Sequence, residues 1–307
     1  MTDFNNNKTE SAFKSGFVAI LGKPNAGKST LLNNLVGQKI AIVSPKPQTT
    51  RDSFLGIKTT DDYQVVFSDT PGIMEPKNLL NQALIDSASM AVEDVDLIYH
   101  ILDVTDPDPV SPAVSEILKS VDIPAFLIVN KIDRIGGKFC YEDHQNLPPR
   151  EDYKQVIPVS ALNGTNIDLL LKETLNLLPE GPLYFDPEQV SDRNLRFLSS
   201  EIVREKAFEL LGQELPYSVA VQVEEFKERE KGKTYIRAVI YVERESQKGM
   251  VIGSGGGKLK KIGRLARPEI EELVGSPVYL ELWVKVRKKW TKHENDLRQF
   301  GYYPKKQ

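Results

Sequence analysis

The chain has 307 residues, enough for one large domain or two ordinary ones, and its 27% charged and 40% hydrophobic residues are typical of a globular protein. The formal net charge of -3 argues against a globally basic nucleic-acid-binding protein, although the region 227–306 is much more basic than the region 61–108. A single cysteine, Cys140, excludes an intramolecular disulfide. No apolar run approaches the roughly 20 residues of a membrane-spanning helix, and residues 1–14 lack an apolar signal-peptide core, so we expect a cytoplasmic protein.

Short apolar runs in the N-terminal half alternate with helical patterns, and most of these runs end in a polar motif. Predicted strands cover residues 17–21, 63–68, 95–104, 125–129 and 156–159, and predicted helices cover residues 29–36, 79–92 and 166–178. This alternation predicts an α/β domain with a mostly parallel sheet. Its ligand should lie at the carboxyl ends of the strands.

The segment from Gly22 to Ser29 fits the P-loop pattern G-x-x-x-x-G-K-[ST], and it lies between a predicted strand and a predicted helix. In such a loop, backbone N–H groups converge on phosphate oxygens at a helix N-terminus. We expect Lys28 to reach the β and γ phosphates and the Ser29 hydroxyl to ligate Mg2+. The alternative is an ordinary strand-to-helix turn. The nucleotide-binding residues predicted here are Gly22, Lys23, Pro24, Asn25, Ala26, Gly27, Lys28, Ser29 and Thr30.

A second motif, Asp-Thr-Pro-Gly, directly follows the predicted strand 63–68. Asp69 is expected to hold Mg2+ through water, and the Gly72 N–H to sense the γ-phosphate. Thr49 and Thr50 lie between this motif and the P-loop, and we favour Thr50 as the further Mg2+ ligand. Lys28, Thr50 and Gly72 are therefore candidate catalytic residues. The nucleotide-binding residues predicted in the second motif are Asp69, Thr70, Pro71 and Gly72.

Two further motifs indicate the base of the nucleotide. The carboxylate of Asp133, in Asn-Lys-Ile-Asp, can accept hydrogen bonds from N1–H and N2–H2 of guanine, a donor pair that adenine lacks. Lys131 would cover the plane of the base, Asn130 would tie its loop to the P-loop, and the Ala161 N–H would meet guanine O6. The alternative for this tetrapeptide is a solvated surface loop. The predicted residues are Asn130, Lys131, Asp133, Ser160, Ala161 and Leu162.

The composition changes after residue 178, where three prolines and a glycine lie between residues 179 and 187 and predict a linker. Beyond it, helical or alternating patterns cover residues 194–211, 217–226, 234–242 and 278–286, and a second glycine-rich loop at 249–263 leads into a helix ending at 274. The order helix, strand, strand, loop-helix, strand predicts a smaller α+β domain. Together the two halves predict an α/β P-loop domain followed by an α+β domain.

The motifs Gly-Lys-Pro-Asn-Ala-Gly-Lys-Ser, Gln-Thr-Thr-Arg, Asp-Thr-Pro-Gly and Asn-Lys-Ile-Asp resemble those of the TRAFAC class of translation-associated GTPases. The stretch 250–263 resembles the Gly-x-x-Gly loop of a KH RNA-binding domain, and VYLELWVK at 278–285 resembles the last strand of that domain in the Era family. With Ile73 and Pro76-Lys77 also matching, the resemblance covers residues 15–302. It implies a GTPase domain at 15–180, a linker at 181–193, a type II KH domain at 194–290 and a C-terminal tail at 291–307.

The resemblance to the Era family also implies function. It implies a GTPase that uses GTP, GDP and Mg2+, binds the 3′ end of small-subunit ribosomal RNA and acts on the immature small ribosomal subunit. It further implies a monomer that associates loosely with the inner face of the cell membrane. Asn25 matches an asparagine that helps to hold a catalytic K+ in related GTPases, although it could simply stabilise the loop. Ile73 stands where Ras-like enzymes place a water-orienting glutamine, so slow hydrolysis is expected.

A Gly-x-x-Gly loop lets backbone N–H groups approach about four nucleotides of single-stranded RNA. This loop contains Ser-Gly where the family usually has a basic residue, so phosphate attraction must come from lysines that follow it. A basic cluster near Trp283 is a second candidate, although alone it would be a solvated face. The loop could also be a second nucleotide-binding turn. The predicted RNA-binding residues are Ile252, Gly253, Ser254, Gly255, Gly256, Lys258, Lys260, Lys261, Lys285 and Arg287.

Two other functions remain open at this point. The chain could be a GTPase that regulates a partner protein or a membrane process, with its C-terminal domain as a protein-binding module. It could also be a partner GTPase in RNA modification, although those reactions need a catalytic cysteine or cofactor site that the sequence does not show.

Overall fold

The computed structural model describes residues 12–43, 54–73, 85–86, 88–211, 218–229 and 232–301. The N-terminal half contains a six-stranded sheet with the order β2-β3-β1-β4-β5-β6. Its strands are β1 (Lys14–Leu21), β2 (Phe54–Thr59), β3 (Tyr63–Asp69), β4 (Leu97–Asp103), β5 (Ala125–Asn130) and β6 (Gln155–Pro158). Its helices are α1 (Lys28–Val36), α2 (Pro112–Ser120) and α3 (Ile167–Leu177).

All neighbouring strands in this sheet are parallel except β2, which runs antiparallel to β3. The strands β1, β4 and β5 are buried almost throughout, which explains why their sequences are apolar runs rather than alternating patterns. The parallel register places Ile20 beside Asp69 and Asp103 beside Asn130, so the polar motifs meet at one edge of the sheet. The predicted α/β fold with a mostly parallel sheet is confirmed.

Two elements of this half were not predicted. The edge strand β2 contains a central glycine and two polar residues, and therefore lacks the apolar run of a buried strand. The short helix α2 buries only Val114 completely, although Ile117 and Leu118 lie on the same face and pack against the core, so its apolar spacing was a signal that the prediction overlooked. Half of the helix predicted at 79–92 falls outside the described residues, and of its described residues 85–86 and 88–90 are helical.

The C-terminal half is a second, smaller α+β unit, as predicted. It contains α4 (Leu195–Leu210), β7 (Ala220–Lys227), β8 (Thr234–Val242), α5 (Glu245–Ile252), α6 (Gly257–Val274) and β9 (Val278–Val286). In the sheet β7-β8-β9, β7 is antiparallel and β9 parallel to the central strand. The helix α5 was not predicted, because Gly249 and polar residues give it almost no apolar face. Within the described residues, no helix has both the length and the apolar character needed to cross a membrane.

Both segments that flank this unit make specific contacts. In the segment 181–193, backbone and side-chain oxygens of Val190 and Asp192 accept hydrogen bonds from the backbone of Ile57 and Leu55 in β2. At the other end, the helix α7 (Glu294–Gln299) and the preceding Trp290 cover apolar residues on the outer face of the sheet. The interdomain segment is therefore bound along the edge strand of the larger sheet.

Candidate nucleotide and RNA sites

The P-loop connects β1 to α1 and has a backbone that few sequences allow. Asn25 and Gly27 both have positive φ angles, of 65° and 102°. A Cβ atom on Gly27 would lie 2.1 Å from the Asn130 side-chain nitrogen, and one on Gly72 would lie 2.7 Å from Pro24 Cα. Glycine is therefore required at both positions for the loops to approach one another.

Lys28 is nearly buried in the loop, with 5% of its surface exposed. Its ammonium donates to the carbonyl oxygens of Gly22 and Lys23 at 3.1 and 2.9 Å. Burial lowers the pKa of Lys28 to about 8, although the nearby Asp69 carboxylate favours the charged form. A bound anion such as a phosphate would compensate this desolvated charge.

The second motif lies directly beside the start of α1. The Ser29 hydroxyl donates to Asp69 Oδ2 at 2.9 Å, and Asp69 is completely buried. The Thr70 hydroxyl donates to the Ile20 carbonyl at 2.6 Å, which fixes the motif against β1. A hydroxyl next to a carboxylate is a donor set that suits Mg2+. The predicted ligand Thr50, like its alternative Thr49, lies outside the described residues.

The two base-recognition motifs are joined by side-chain hydrogen bonds. Asn130 donates to the Ala26 carbonyl at 2.8 Å, and its Oδ1 accepts from the Ala161 N–H at 2.9 Å. The predicted donor to guanine O6 is therefore occupied by Asn130 in this structure. Asp133 Oδ1 accepts from the Ser160 hydroxyl at 2.6 Å, which orients the carboxylate at the edge of the cleft.

Lys131, predicted to cover the base, lines the cleft and is held there by an ion pair. Its backbone has a φ of 66°, and its ammonium lies 2.5 Å from Asp103 Oδ2. Partial burial alone would raise the pKa of the Asp103 carboxyl, but hydrogen bonds from Lys131 and Thr105 lower it below its usual value. The Asp103 carboxyl therefore stays charged at neutral pH, and Lys131 lines the cleft.

These motifs surround a cleft of about 430 Å3, within the usual size range of small-molecule sites. Its lining comprises Pro24, Asn25, Gly27, Lys28, Ser29, Thr30, Ile42, Val43, Gly72, Asp103, Asn130, Lys131, Asp133, Arg134, Ala161 and Leu162. Five other predicted residues do not line the cleft but hydrogen-bond residues that do: Gly22, Lys23, Ala26, Asp69 and Ser160. Thr70 and Pro71 also lie outside the lining, and Thr70 binds β1.

Four lining residues were not predicted from the sequence: Ile42, Val43, Asp103 and Arg134. Asp103 carried a usable signal, because it is a polar residue at the carboxyl end of a buried strand. Ile42 and Val43 had no sequence pattern that could have identified them, because they follow α1 in the chain and reach the cleft only through tertiary packing.

The glycine loop of the second domain connects α5 to α6. Gly253, Gly255 and Gly256 have positive φ angles of 72°, 57° and 77°, so only Ser254 within the loop has an ordinary backbone. A Cβ atom on Gly253 would lie 2.8 Å from Lys258 Cβ. The turn therefore brings the loop backbone close to the first turn of α6.

A groove of about 380 Å3 lies between α6 and β9. Its apolar lining is formed by Leu259, Val278, Tyr279, Leu280 and Leu282 together with Gly263. Its charged lining residues are all basic: Lys233, Lys260, Arg264 and Arg267. An apolar groove with a purely basic border suits single-stranded RNA, which presents bases and phosphates together.

Of the predicted RNA-binding lysines, only Lys260 lines this groove. Lys285 pairs with Glu224 at 2.7 Å and Arg287 with Asp296 at 2.5 Å, so acidic neighbours neutralise the second predicted basic cluster. Sequence analysis missed Lys233, Arg264 and Arg267. The last two were detectable, since residues 260, 264 and 267 share one face of a helix.

The chain matches known protein families in both halves. A family model described as 50S ribosome-binding GTPase matches residues 17–131, and one described as KH domain matches residues 214–291. The chain is 45% identical over 292 residues to GTPase Era of Halothermothrix orenii, covering 95% of this chain and 99% of that protein.

Solved structures match over a similar length. One is a crystal structure of Era in complex with MgGDPNP and nucleotides 1506–1542 of 16S ribosomal RNA, with a TM-score of 0.88 and 41% identity. Another is a point variant of Aquifex aeolicus Era bound to GDP·AlF4−, with the same TM-score and identity. Each match covers 95% of this chain and 100% of the solved chain.

The lowered pKa of Lys28 makes GDP binding dependent on pH. With a pKa of about 8 in the free protein, Lys28 is mostly neutral at pH 9, and bound phosphates would restore its charge. We expect binding to take up about 0.1 proton at pH 7 and approach one at pH 9, with affinity falling as pH rises above 8. Calorimetry in two buffers of different ionisation enthalpy measures the uptake. The variant Lys28→Arg should take up no proton when GDP binds. Equal uptake by both proteins at pH 9 would show that Lys28 is not the group that takes up the proton.

Asp133 should determine the choice of base. Asp133→Asn replaces an acceptor with a donor opposite the guanine amino group, so GDP affinity should fall about a hundredfold, while affinity for xanthosine diphosphate, which carries a carbonyl there, should rise. Competition binding with a fluorescent nucleotide measures both affinities. Asp143→Asn, in an exposed 3-10 helix, is the matched control and should bind as the wild type does. An unchanged preference for guanine in Asp133→Asn would show that the base does not bind at Asp133.

Proposed function

Since this chain belongs to the Era family of GTPases, we propose that it is a GTP-hydrolysing switch that binds the 3′ end of small-subunit ribosomal RNA and assists assembly of the small ribosomal subunit. One observation carries the proposal: a P-loop cleft and a basic groove beside a Gly-x-x-Gly loop lie in the same chain. A relative of 41% identity that carries both MgGDPNP and 16S ribosomal RNA supports it.

The residues of the cleft fit Mg-GTP. Lys28 would contact the β and γ phosphates, the Ser29 hydroxyl would ligate Mg2+, and Asp69 would hold the metal through water. When bound, Mg2+ neutralises charge that develops on the phosphate oxygens during hydrolysis. The Gly72 N–H adds a hydrogen-bond donor for the γ-phosphate, and Thr50 is the further proposed metal ligand.

Hydrolysis by the isolated protein should be slow. Ile73 is 1% exposed and packs in the core, while its N–H donates to the Gly22 carbonyl. An apolar, buried side chain at this position cannot orient the attacking water as a glutamine would. Asn25 lines the cleft with a left-handed backbone, and we propose that its side chain helps to hold a K+ that supplies positive charge to the transition state.

The groove between α6 and β9 supports RNA over a protein as the partner of the second domain. Backbone N–H groups of the glycine loop can approach the sugar-phosphate chain, and Arg264 and Arg267 can pair with phosphates on the border. Bases can rest on the apolar lining, which includes Leu259 and Tyr279. The cores of protein–protein interfaces are depleted of charged residues, whereas four basic residues line this groove.

RNA binding should require the glycine loop and the groove. Gly253→Asp combined with Gly256→Asp places two carboxylates where phosphates approach, so affinity for a single-stranded oligonucleotide of the small-subunit RNA 3′ end should fall at least about a hundredfold. Arg264→Gln should weaken binding less and reduce the slope of log affinity against log salt by about one. Fluorescence anisotropy at several salt concentrations measures both effects. Lys292→Gln, an exposed change in the C-terminal tail, should leave the slope unchanged.

The same oligonucleotide should accelerate GTP turnover by the wild type, because the proposed switch couples the two sites. Wild-type protein that neither binds the oligonucleotide nor changes its turnover would contradict the proposed function. In that case a GTPase with a protein partner becomes the better explanation.

The proposed K+ site makes turnover dependent on the salt used. GTP turnover by the wild type should be several-fold faster in KCl than in NaCl at equal ionic strength, and Asn25→Ala should abolish the difference. Phosphate release under single-turnover conditions measures the rate. Asn176→Ala, on the exposed face of α3, is the control and should keep the salt dependence. Equal rates in both salts for the wild type would leave Asn25 as a loop-stabilising residue.

We also propose, from the family resemblance, that the protein is a monomer and associates loosely with the inner face of the cell membrane. Sedimentation equilibrium tests the first statement. Flotation with vesicles of anionic and of neutral phospholipids tests the second.

A further inference from the structure

One wall of the nucleotide cleft is held by the second domain. Residues 39–43, here called the wall segment, follow α1 and end with Ile42 and Val43 in the lining of the cleft. The side chain of Asn33 in α1 binds the start of the segment, with its Oδ1 2.9 Å from the Ile40 nitrogen and 2.8 Å from the Ala41 nitrogen. At the far end, the Val43 N–H donates to Glu205 Oε2 at 3.1 Å, and Glu205 belongs to α4 of the second domain.

Glu205 is fixed in place by an ion cluster. Its Oε1 lies 2.8 Å from the ammonium of Lys39, at the start of the wall segment, and 2.8 Å from that of Lys206. Glu269 of α6 binds the same two lysines, at 2.7 and 2.6 Å. The side chain of Glu205 is only 3% exposed. Two lysines and two glutamates therefore form a cluster that joins the wall segment to α4 and α6, and Glu209 of α4 contacts Lys206 as a third carboxylate.

Lys39 and Glu269 of the cluster keep their charges near neutral pH. Burial alone would lower the pKa of Lys39, but hydrogen bonds to Glu205 and Glu269 raise it above its usual value. Burial alone would raise the pKa of Glu269, but hydrogen bonds from Lys206 and Lys39 lower it. Lys39 and Glu269 therefore remain an ion pair at neutral pH.

The second domain also contacts the chain on the other side of residues 44–53. Leu55 in β2 donates its backbone N–H to Asp192, two residues before the α4 cap, at 2.8 Å. The ring of Phe54 lies 6.3 Å from that of Phe197 in α4. Val43 and Phe54, the described residues on either side of 44–53, therefore both contact α4.

The ion cluster and the RNA groove share the helix α6. The helix that carries Glu269 begins directly after the glycine loop and supplies Lys260, Arg264 and Arg267 to the groove. It packs on α4 through a shared apolar core that includes Val203 and Ile270. A shift of α6 on binding RNA would therefore change the contacts of Lys39 as well.

We propose that Glu205 is a positioning residue for the nucleotide site: it holds Val43 in the cleft wall, and the cluster of Lys39, Lys206 and Glu269 transmits RNA binding at α6 to that wall. The first statement depends only on the nucleotide cleft, whereas the second rests on the proposed function. Stability is a poor explanation for such a cluster, since buried ion pairs are often no more stable than apolar residues of equal size. Its specific feature is that one carboxylate binds both the lysines and the backbone of the cleft wall.

The positioning role is tested without RNA, from the dissociation rates of a fluorescent GDP and a non-hydrolysable GTP analogue. Glu205→Ala removes the acceptor for Val43 and should speed dissociation about tenfold. Glu205→Gln keeps an acceptor oxygen and should restore much of the wild-type rate. Glu209→Gln neutralises another carboxylate that contacts Lys206 but no residue of the wall segment, and should dissociate nucleotide within twofold of the wild type.

Folding of each variant is checked by circular dichroism and by tryptophan fluorescence, since Trp283 and Trp290 both lie in the second domain. If Glu205→Ala fails to fold, Lys39→Met replaces it, because Lys39 is 43% exposed and its loss frees the start of the wall segment. Lys39→Met should speed dissociation two- to fivefold. Folded variants whose rates stay within twofold of the wild type would overturn the positioning role.

Transmission is tested by the affinity of the RNA oligonucleotide for the GDP-bound and the analogue-bound protein. The two wild-type affinities should differ severalfold, and Glu269→Gln and Lys39→Met should bring them within twofold of each other while RNA still binds. A difference that persists in both variants, or is absent in the wild type, would overturn transmission. If the wild type binds no RNA, the proposed function and transmission both fail, and the dissociation rates still decide the positioning role.

Discussion

The side-chain amide of Asn130 is the contact on which the nucleotide site depends. It donates to the P-loop at Ala26 and accepts from the loop after β6 at Ala161, so one planar group joins the loops that follow β1, β5 and β6. Because Asn130 is 2% exposed, loss of either partner would leave a buried polar group unsatisfied. The amide thereby fixes the distance between the phosphate-binding and base-binding parts of the cleft.

The second domain is attached through polar contacts rather than through one continuous apolar core. The largest apolar clusters belong to one domain each, whereas the segment 181–193, Glu205 and Glu269 bind the first domain through hydrogen bonds and ion pairs. Such contacts are directional, and they can be exchanged at lower cost than a packed core. This kind of interface suits the coupling between the two domains that we propose.

Local charge, and not the net charge of -3, determines what each surface can bind. The groove beside the glycine loop has only basic residues on its border, although the chain as a whole is slightly acidic. Conversely, Lys285 and Arg287 form a basic run in the sequence but are paired with Glu224 and Asp296 in the structure. A cluster in the sequence therefore does not establish a charged surface, because partners from other elements can neutralise it.

The sequence by itself determined the chemistry of this protein. The P-loop, the motif at Asp69 and the motif at Asn130 each place particular residue types at the end of a buried strand, and apolar runs with fixed spacing are sufficient to predict such strands. The two-domain architecture and the glycine loop followed from the same local patterns. Elements without a strong apolar pattern, such as β2 and α5, escaped prediction because tertiary contacts stabilise them.

Tertiary structure alone decided which distant residues complete the sites. Lys39 and Glu269 form an ion pair across 230 positions in the chain, and Val43 meets Glu205 across 162. No local pattern encodes such pairs, since their geometry depends on how two domains with separate cores are placed. Asp103 and Lys233 likewise reach their sites only because the elements that carry them pack beside those that supply the other lining residues. The sequence specifies each functional group, and the fold decides which groups act together.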